Sequence, residues 1–112
     1  MILVIGGIAS GKRTYIRSLG YREDDMNSSI HADSPVLYGL EEVLRQGTLS
    51  ADDLDAVIRK EVVTCCEVGQ GVVPLDATDR AWRELVGRTC VELAKHADKI
   101  IRMVCGIPTI IR

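Results

Sequence analysis

The segment Met1-Ile2-Leu3-Val4-Ile5-Gly6-Gly7-Ile8-Ala9-Ser10-Gly11-Lys12 decides the predicted fold. The branched apolar run at residues 2–5 favours a short strand that is covered on both faces, as strands of parallel sheets are. Two glycines close this strand, and residues 12–19 can form about two turns of helix. A buried strand that turns through glycines into a helix predicts an α/β architecture.

The turn at residues 6–12 fits the spacing G-x-x-x-x-G-K of a phosphate-binding loop, with the required strand before it and helix after it. Its glycines let backbone N–H groups converge on an anion, and Lys12 can reach the outer phosphates. We therefore expect a nucleoside triphosphate, either GTP or ATP, to bind here. The predicted nucleotide-binding residues are Gly6, Gly7, Ile8, Ala9, Ser10, Gly11, Lys12, Arg13 and Thr14.

Position 13 departs from the usual motif, in which a serine or threonine after the lysine gives a hydroxyl to magnesium. This residue is Arg13, and Thr14 follows it. One step along a helix rotates a side chain by about 100°, so Thr14 cannot simply replace the missing hydroxyl. Arg13 can instead offer its charge to a phosphate. Magnesium binding is possible but not favoured by the sequence, and no protein metal site is expected.

The rest of the chain alternates between helical and strand-like patterns. The predicted segments are a loop at residues 21–27, a helix at 34–46, a helix from Ser50, a strand at 62–66, a helix at 76–96 and a hairpin at 99–111 that turns at Gly106 and Pro108. We expect a three-layer α/β sandwich around a mostly parallel sheet, P-loop NTPase-like, with a C-terminal hairpin. Residues 1–112 would form a single nucleotide-binding domain.

Composition limits the classes of partner. The 112 residues carry a net charge of -2, which gives no basic field for nucleic acid. The apolar runs are much shorter than the roughly 20 residues of a membrane span. Because no signal-peptide pattern is present either, we expect a cytoplasmic protein without membrane contact. The four cysteines are Cys65, Cys66, Cys90 and Cys105, and none of them has C-x-x-C spacing. Three of the four lie in apolar runs, where free thiols are expected to fill the core.

Residues 1–12 join a hydrophobic strand to a G-G-x-x-S-G-K loop, and residues 67–74 read E-V-G-Q-G-V-V-P. These two segments resemble the opening and the E-V-G-x-G-(I/V)-V-P segment of the adenosylcobinamide kinase / adenosylcobinamide-phosphate guanylyltransferase family of cobalamin biosynthesis. The positions that follow at the expected distance are Arg80, Trp82, Arg83, Leu85, Gly87 and Arg88. The resemblance implies kinase or nucleotidyltransferase chemistry, a cobinamide-type corrinoid as a possible ligand, and a homo-oligomer. Lys12 and Glu67 are the candidate catalytic residues.

The chain also departs from this family. It lacks the basic segment that supplies the histidine receiving GMP, and residues 28–34 look more like the family's following strand. We place His31 on that strand as a packing or hydrogen-bonding residue, not as the nucleophile. The family's Asn-Glu pair is Cys66-Glu67 here, and the polar pair after its Gly-Arg element is Cys90-Val91.

Two functional hypotheses follow. The chain is a kinase of a cobinamide-type alcohol, using Lys12 and Arg13 with a carboxylate from Asp33 or Glu67, because phosphoryl transfer needs mainly positioning and charge neutralisation. Alternatively, it is a non-catalytic module that holds nucleotide or corrinoid, or pairs with a full-length enzyme. Guanylyl transfer through histidine is not expected in either case.

Overall fold

The computed structural model describes residues 1–67 and 76–112. Its strands in these ranges are β1 (Ile2–Gly6), β2 (Met26–Asn27), β3 (Val36–Leu37), β4 (Val62–Cys66), β5 (Lys99–Val104) and β6 (Ile107–Ile110). Its α-helices are α1 (Lys12–Ser18), α2 (Leu40–Val43), α3 (Ala51–Ile58) and α4 (Ala77–Ala94). Two short 3-10 helices cover Glu23–Asp25 and Leu44–Gln46.

The strands form one sheet in the order β2-β3-β4-β1-β5-β6. All neighbouring strands are parallel except β5 and β6, which form an antiparallel hairpin. In the register of the central strand, Gly6 lies opposite Cys66 on one side and Met103 on the other. The carboxyl ends of β4, β1 and β5 therefore meet at one edge of the sheet, directly below the loop that leads into α1.

Apolar side chains cover both faces of the sheet. On one face, Leu3 and Val63 pack with Val86 and Leu93 of α4. On the other face, Val4, Val62 and Ile101 pack with Ile16 of α1. Because helices bury the sheet from both sides, the prediction of an α/β sandwich with a mostly parallel sheet and a C-terminal hairpin is confirmed.

The predicted helix at residues 34–46 is wrong in its first half. Val36 and Leu37 form β3, pair with Val62 and Val63 of β4, and are fully buried. Helix α2 begins only after Gly39, which has a φ of 92° that a continuous helix does not permit. The apolar spacing of this segment also fits a helix, but pairing with β4 makes Val36 and Leu37 a strand.

The prediction of a strand through residues 28–34 is also wrong, because this segment consists of turns and bends between β2 and β3. The predicted loop at residues 21–27 contains the Glu23–Asp25 turn and the two residues of β2. Polar, short edge strands of this kind bury little apolar surface, so hydrophobic pattern does not reveal them.

The remaining elements agree with the sequence patterns. The Ser50 side chain accepts a hydrogen bond from the Asp53 backbone N–H at 3.1 Å and so begins α3. The hairpin turns at Cys105 and Gly106, whereas Pro108 lies inside β6 opposite Met103. In the part of the chain that the structure describes, no helix has both the length and the apolar character that crossing a membrane requires.

Candidate functional site

The glycine loop connects β1 to α1 and packs closely against the end of β5. A Cβ on Gly6 would lie 2.8 Å from the Met103 carbonyl oxygen, and a Cβ on Gly11 would lie 2.9 Å from Gly106 Cα. Gly11 also has a φ of 94°, in the left-handed region that favours glycine. Only glycine allows the backbone of the loop to approach the backbone of β5 and its turn so closely. Packing therefore requires glycine at positions 6 and 11, independently of the phosphate-loop motif.

Lys12 lies under the loop with only 5% of its surface exposed. Its ammonium donates hydrogen bonds to the carbonyl oxygens of Gly6, at 3.1 Å, and Gly7, at 2.7 Å. The third contact of Nζ is the weak acceptor Cys66 Sγ, at 3.5 Å. The loop therefore holds a positive charge at the carboxyl edge of the sheet. One N–H of this ammonium is directed to the Cys66 sulfur, a weak acceptor that the oxygen of an anion could replace.

Hydrogen-bond donors at this edge remain available to a ligand. The Ser10 side-chain oxygen is buried and, among the described residues, has no hydrogen-bond partner. One loop amide is used internally, since Ser10 N–H donates to the Gly7 carbonyl at 3.3 Å. In residues 1–67 and 76–112, the N–H groups of Gly11, Lys12 and Arg13 meet no backbone or side-chain acceptor. These donors and the lysine fit an anion.

Arg13 lies beside the loop but is engaged elsewhere. Its guanidinium stacks over the Tyr38 ring, 4.5 Å from the ring centroid, and forms an ion pair with Glu23. Thr14 is exposed on the same first turn of α1. The residue at the usual hydroxyl position is thus a guanidinium that contacts Tyr38 and Glu23. That magnesium binding is not favoured stays a prediction.

Glu67 follows β4 immediately and lies next to the loop. Its backbone N–H donates to the Gly6 carbonyl oxygen at 2.8 Å, the same oxygen that Lys12 contacts. Its carboxylate accepts hydrogen bonds from Arg102 Nε at 2.7 Å and Nη2 at 3.1 Å. This pairing raises the pKa of Arg102 above its usual value. The Glu67 backbone and the Lys12 ammonium therefore meet at one carbonyl oxygen, while the Glu67 carboxylate is held by the Arg102 guanidinium.

Asp33 lies elsewhere. It shares a surface cleft with Lys60 and Glu61, which precede β4 at the amino edge of the sheet. Lys60 fixes this segment by donating to the carbonyl oxygens of Ala32 and Ser34. The length of a five-residue strand, about 13 Å, separates this edge from the loop, so Asp33 cannot be the carboxylate beside Lys12.

His31 lies on a turn, whereas the sequence analysis placed it on a strand. Its side chain is 76% exposed, and its Nε2 lies 3.2 Å from Asp53 Oδ1 at the first turn of α3. It borders a polar cleft of about 550 Å³ with Glu42 and Asp53. None of the residues that line this cleft belongs to the glycine loop.

The sequence analysis missed three partners of the site. Arg102 binds Glu67 and is the one charged residue in the interior of the apolar strand β5. A charged residue inside an apolar strand is the sequence feature that could have identified it. Tyr38 and Glu41 follow β3, which the helical interpretation concealed. The Glu41 carboxylate accepts from the Cys66 N–H at 2.9 Å, and its carbonyl accepts from Trp82 Nε1 at 2.8 Å. Glu41 thereby connects α2, β4 and α4.

Three thiols lie under this edge. The Cys65 thiol donates to the Cys66 carbonyl oxygen at 3.5 Å, and its interaction with the neighbouring Cys90 thiol raises the pKa of Cys65 and lowers that of Cys90. Burial and the nearby Glu41 raise the pKa of Cys66, and Lys12 partly opposes them. Cys65 is fully buried, as predicted, and Cys105 is exposed. The family-like segment at residues 68–74 lies outside the described residues.

Comparison with models of known protein families gives a match to this chain. The model of the family described as Cobinamide kinase / cobinamide phosphate guanyltransferase matches residues 40–111, which is more than half of the chain. The match runs from α2 to the end of the hairpin and includes Glu67 and Arg102. The glycine loop and α1 precede it. No curated protein matches the chain.

Proposed function

This chain belongs to the cobinamide kinase / cobinamide phosphate guanyltransferase family, and we propose that it binds a nucleoside triphosphate, GTP or ATP, through residues 6–14. The observation that carries the proposal is the position of Lys12. Its buried ammonium lies under a glycine loop at the carboxyl edge of a parallel sheet, where open α/β sheets bind ligands.

Each part of the loop has a role in this proposal. The N–H groups at the start of α1 and the Ser10 hydroxyl donate to phosphate oxygens, and they lack acceptors in the described chain. Lys12 exchanges its weak contact with Cys66 for an outer phosphate oxygen, which is a far better acceptor. The close packing of Gly6 and Gly11 holds the backbone in the required bend.

The reaction we propose first is phosphoryl transfer to the hydroxyl of a cobinamide-type corrinoid. Glu67 lies at the correct edge to contact the acceptor, and Lys12 neutralises charge on the transferred group. Guanylyl transfer through a histidine is not part of this proposal, since His31 contacts Asp53 on the flank of α3.

A second candidate is a non-catalytic module that holds nucleotide or corrinoid, alone or with a full-length enzyme. Two observations favour it. Both carboxylate oxygens of Glu67 are engaged by Arg102, which weakens Glu67 as a base. Arg13 occupies the position where a kinase of this loop type carries a magnesium-binding hydroxyl.

A transfer assay separates the two candidates. The purified chain is incubated with magnesium and γ-labelled GTP or ATP, with and without cobinamide, and labelled cobinamide phosphate is measured by chromatography. Transfer that disappears in Lys12→Met supports the kinase. Nucleotide binding without transfer supports the module. If neither nucleotide binds, the proposed function is refuted.

A further inference from the structure

We propose that the site binds its nucleoside triphosphate as the metal-free polyanion, with Arg13 supplying the positive charge that magnesium supplies in other phosphate loops. This inference rests on the proposed function, because it concerns the form of nucleotide that the same loop accepts. It is carried by the oxygen atoms near the loop, by the cations around it and by the weak attachment of the Arg13 side chain.

The first step concerns the oxygen atoms. Mg²⁺ requires several oxygen ligands in near-octahedral geometry, usually including one or two carboxylates. The carboxylates near the loop already bind protein groups: Glu23 pairs with Arg13 and Arg17, Glu67 with Arg102, and Glu41 with the Cys66 N–H. Among the residues that the structure describes, these donors do not fit a magnesium site, so the loop's own groups are left to neutralise phosphate charge.

The second step concerns the cations. Lys12 and Arg13 are consecutive at the start of α1, so two positively charged residues stand at the loop. Ser10 is 92% buried, and its hydroxyl points at Gly6. This hydroxyl has no hydrogen-bond partner in the described chain. A metal-free triphosphate is more negative than its magnesium complex, so this set of donors and cations favours the metal-free form.

The third step concerns the availability of Arg13. Its ion pair with Glu23 is half exposed on both sides, and exposed pairs of this kind contribute little to stability. A guanidinium forms stronger, bidentate hydrogen bonds with phosphate than with a solvated surface carboxylate. The Tyr38 ring supports the flat face of the Arg13 guanidinium. Arg13 can therefore exchange Glu23 for phosphate, while Glu23 keeps its ion pair with Arg17.

Calorimetric titration with ATP and with GTP, each in EDTA and in excess magnesium, tests this inference. We expect the wild-type chain to bind in EDTA at least as tightly as in magnesium. Arg13→Ser, which removes the guanidinium and restores a hydroxyl, is expected to weaken binding in EDTA by about tenfold, the effect of one charge-assisted hydrogen bond. Magnesium should then strengthen binding to this variant. Arg13→Lys should retain most of the binding in EDTA.

Arg17→Ser is the matched control. Arg17 is on the same helix, also pairs with Glu23 and is similarly exposed, so its replacement should leave both affinities unchanged. Wild-type binding that requires magnesium would overturn the inference and leave the proposed function intact, as would equal affinities of Arg13→Ser and wild type in EDTA. No binding under any condition would overturn both.

Discussion

A methyl group added to Gly6 tests the packing of the glycine loop most sharply. In Gly6→Ala the new Cβ would lie 2.8 Å from the Met103 carbonyl oxygen and 2.5 Å from Ser10 Oγ. The serine can rotate, but the carbonyl belongs to β5 and is fixed by the sheet. The adjacent Gly7→Ala is the matched control, because a Cβ there meets nothing within 4 Å.

The two substitutions should therefore have opposite effects on stability. Overpacking costs about 1–3 kcal/mol, and we expect about 2 kcal/mol for Gly6→Ala because backbone must move. At roughly 4 °C per kcal/mol, its melting temperature should fall by roughly 8 °C. Gly7→Ala restricts the unfolded chain without a clash and should be neutral or stabilise by up to about 1 kcal/mol.

Urea denaturation followed by circular dichroism measures both free energies of unfolding. Since neither glycine lies in a helix, a difference in helix propensity does not explain a gap between them. Equal stabilities of the two variants would refute the close contact between the loop and β5, and with it the geometry assigned to the site.

Two further predictions concern the support of the site. Thr64→Val should lower the free energy of unfolding in urea by about 1–3 kcal/mol, because the buried Thr64 hydroxyl accepts the Gly39 N–H at 2.9 Å and valine leaves that donor unpaired. Thr89→Val, whose hydroxyl only donates to the Leu85 carbonyl within α4, is the control, and an equal loss in both would contradict this explanation. Cys65→Ala should slow alkylation of Cys90 by iodoacetamide at neutral pH and shift its rate profile to higher pH, because the interaction with the Cys65 thiol lowers the pKa of Cys90. Cys65→Ser keeps a donor and should react nearly as wild type; a rate in Cys65→Ala that matches wild type, measured by peptide mass spectrometry, would show that the pair does not interact.

Local sequence information was sufficient for the elements that frame the site. The buried run of β1, the glycine turn and the start of α1 lie within twelve consecutive residues, so their pattern reports the structure directly. The same holds for Ser50, whose capping bond reaches only three residues along the chain. The position of Glu67 followed from the carboxyl-edge rule for parallel strands.

Pairings between distant residues were not predictable from the sequence. Glu67 and Arg102 are 35 positions apart and meet only because β4 and β5 flank the same strand. The apolar positions of residues 36–44 fit a helix equally well, and only pairing with β4 decides that Val36 and Leu37 are a strand. The error about β3 also concealed Tyr38, whose ring holds the Arg13 guanidinium.

Calorimetric titration of wild type and Lys12→Met with GTP and ATP tests the central claim most directly. Methionine keeps most of the length of the side chain and removes the ammonium that binds Gly6 and Gly7. We predict saturable binding by wild type and a loss of affinity of at least about tenfold in the variant, with a folded circular dichroism spectrum in both. Absence of binding by wild type, or equal affinity of a folded Lys12→Met, would contradict the account.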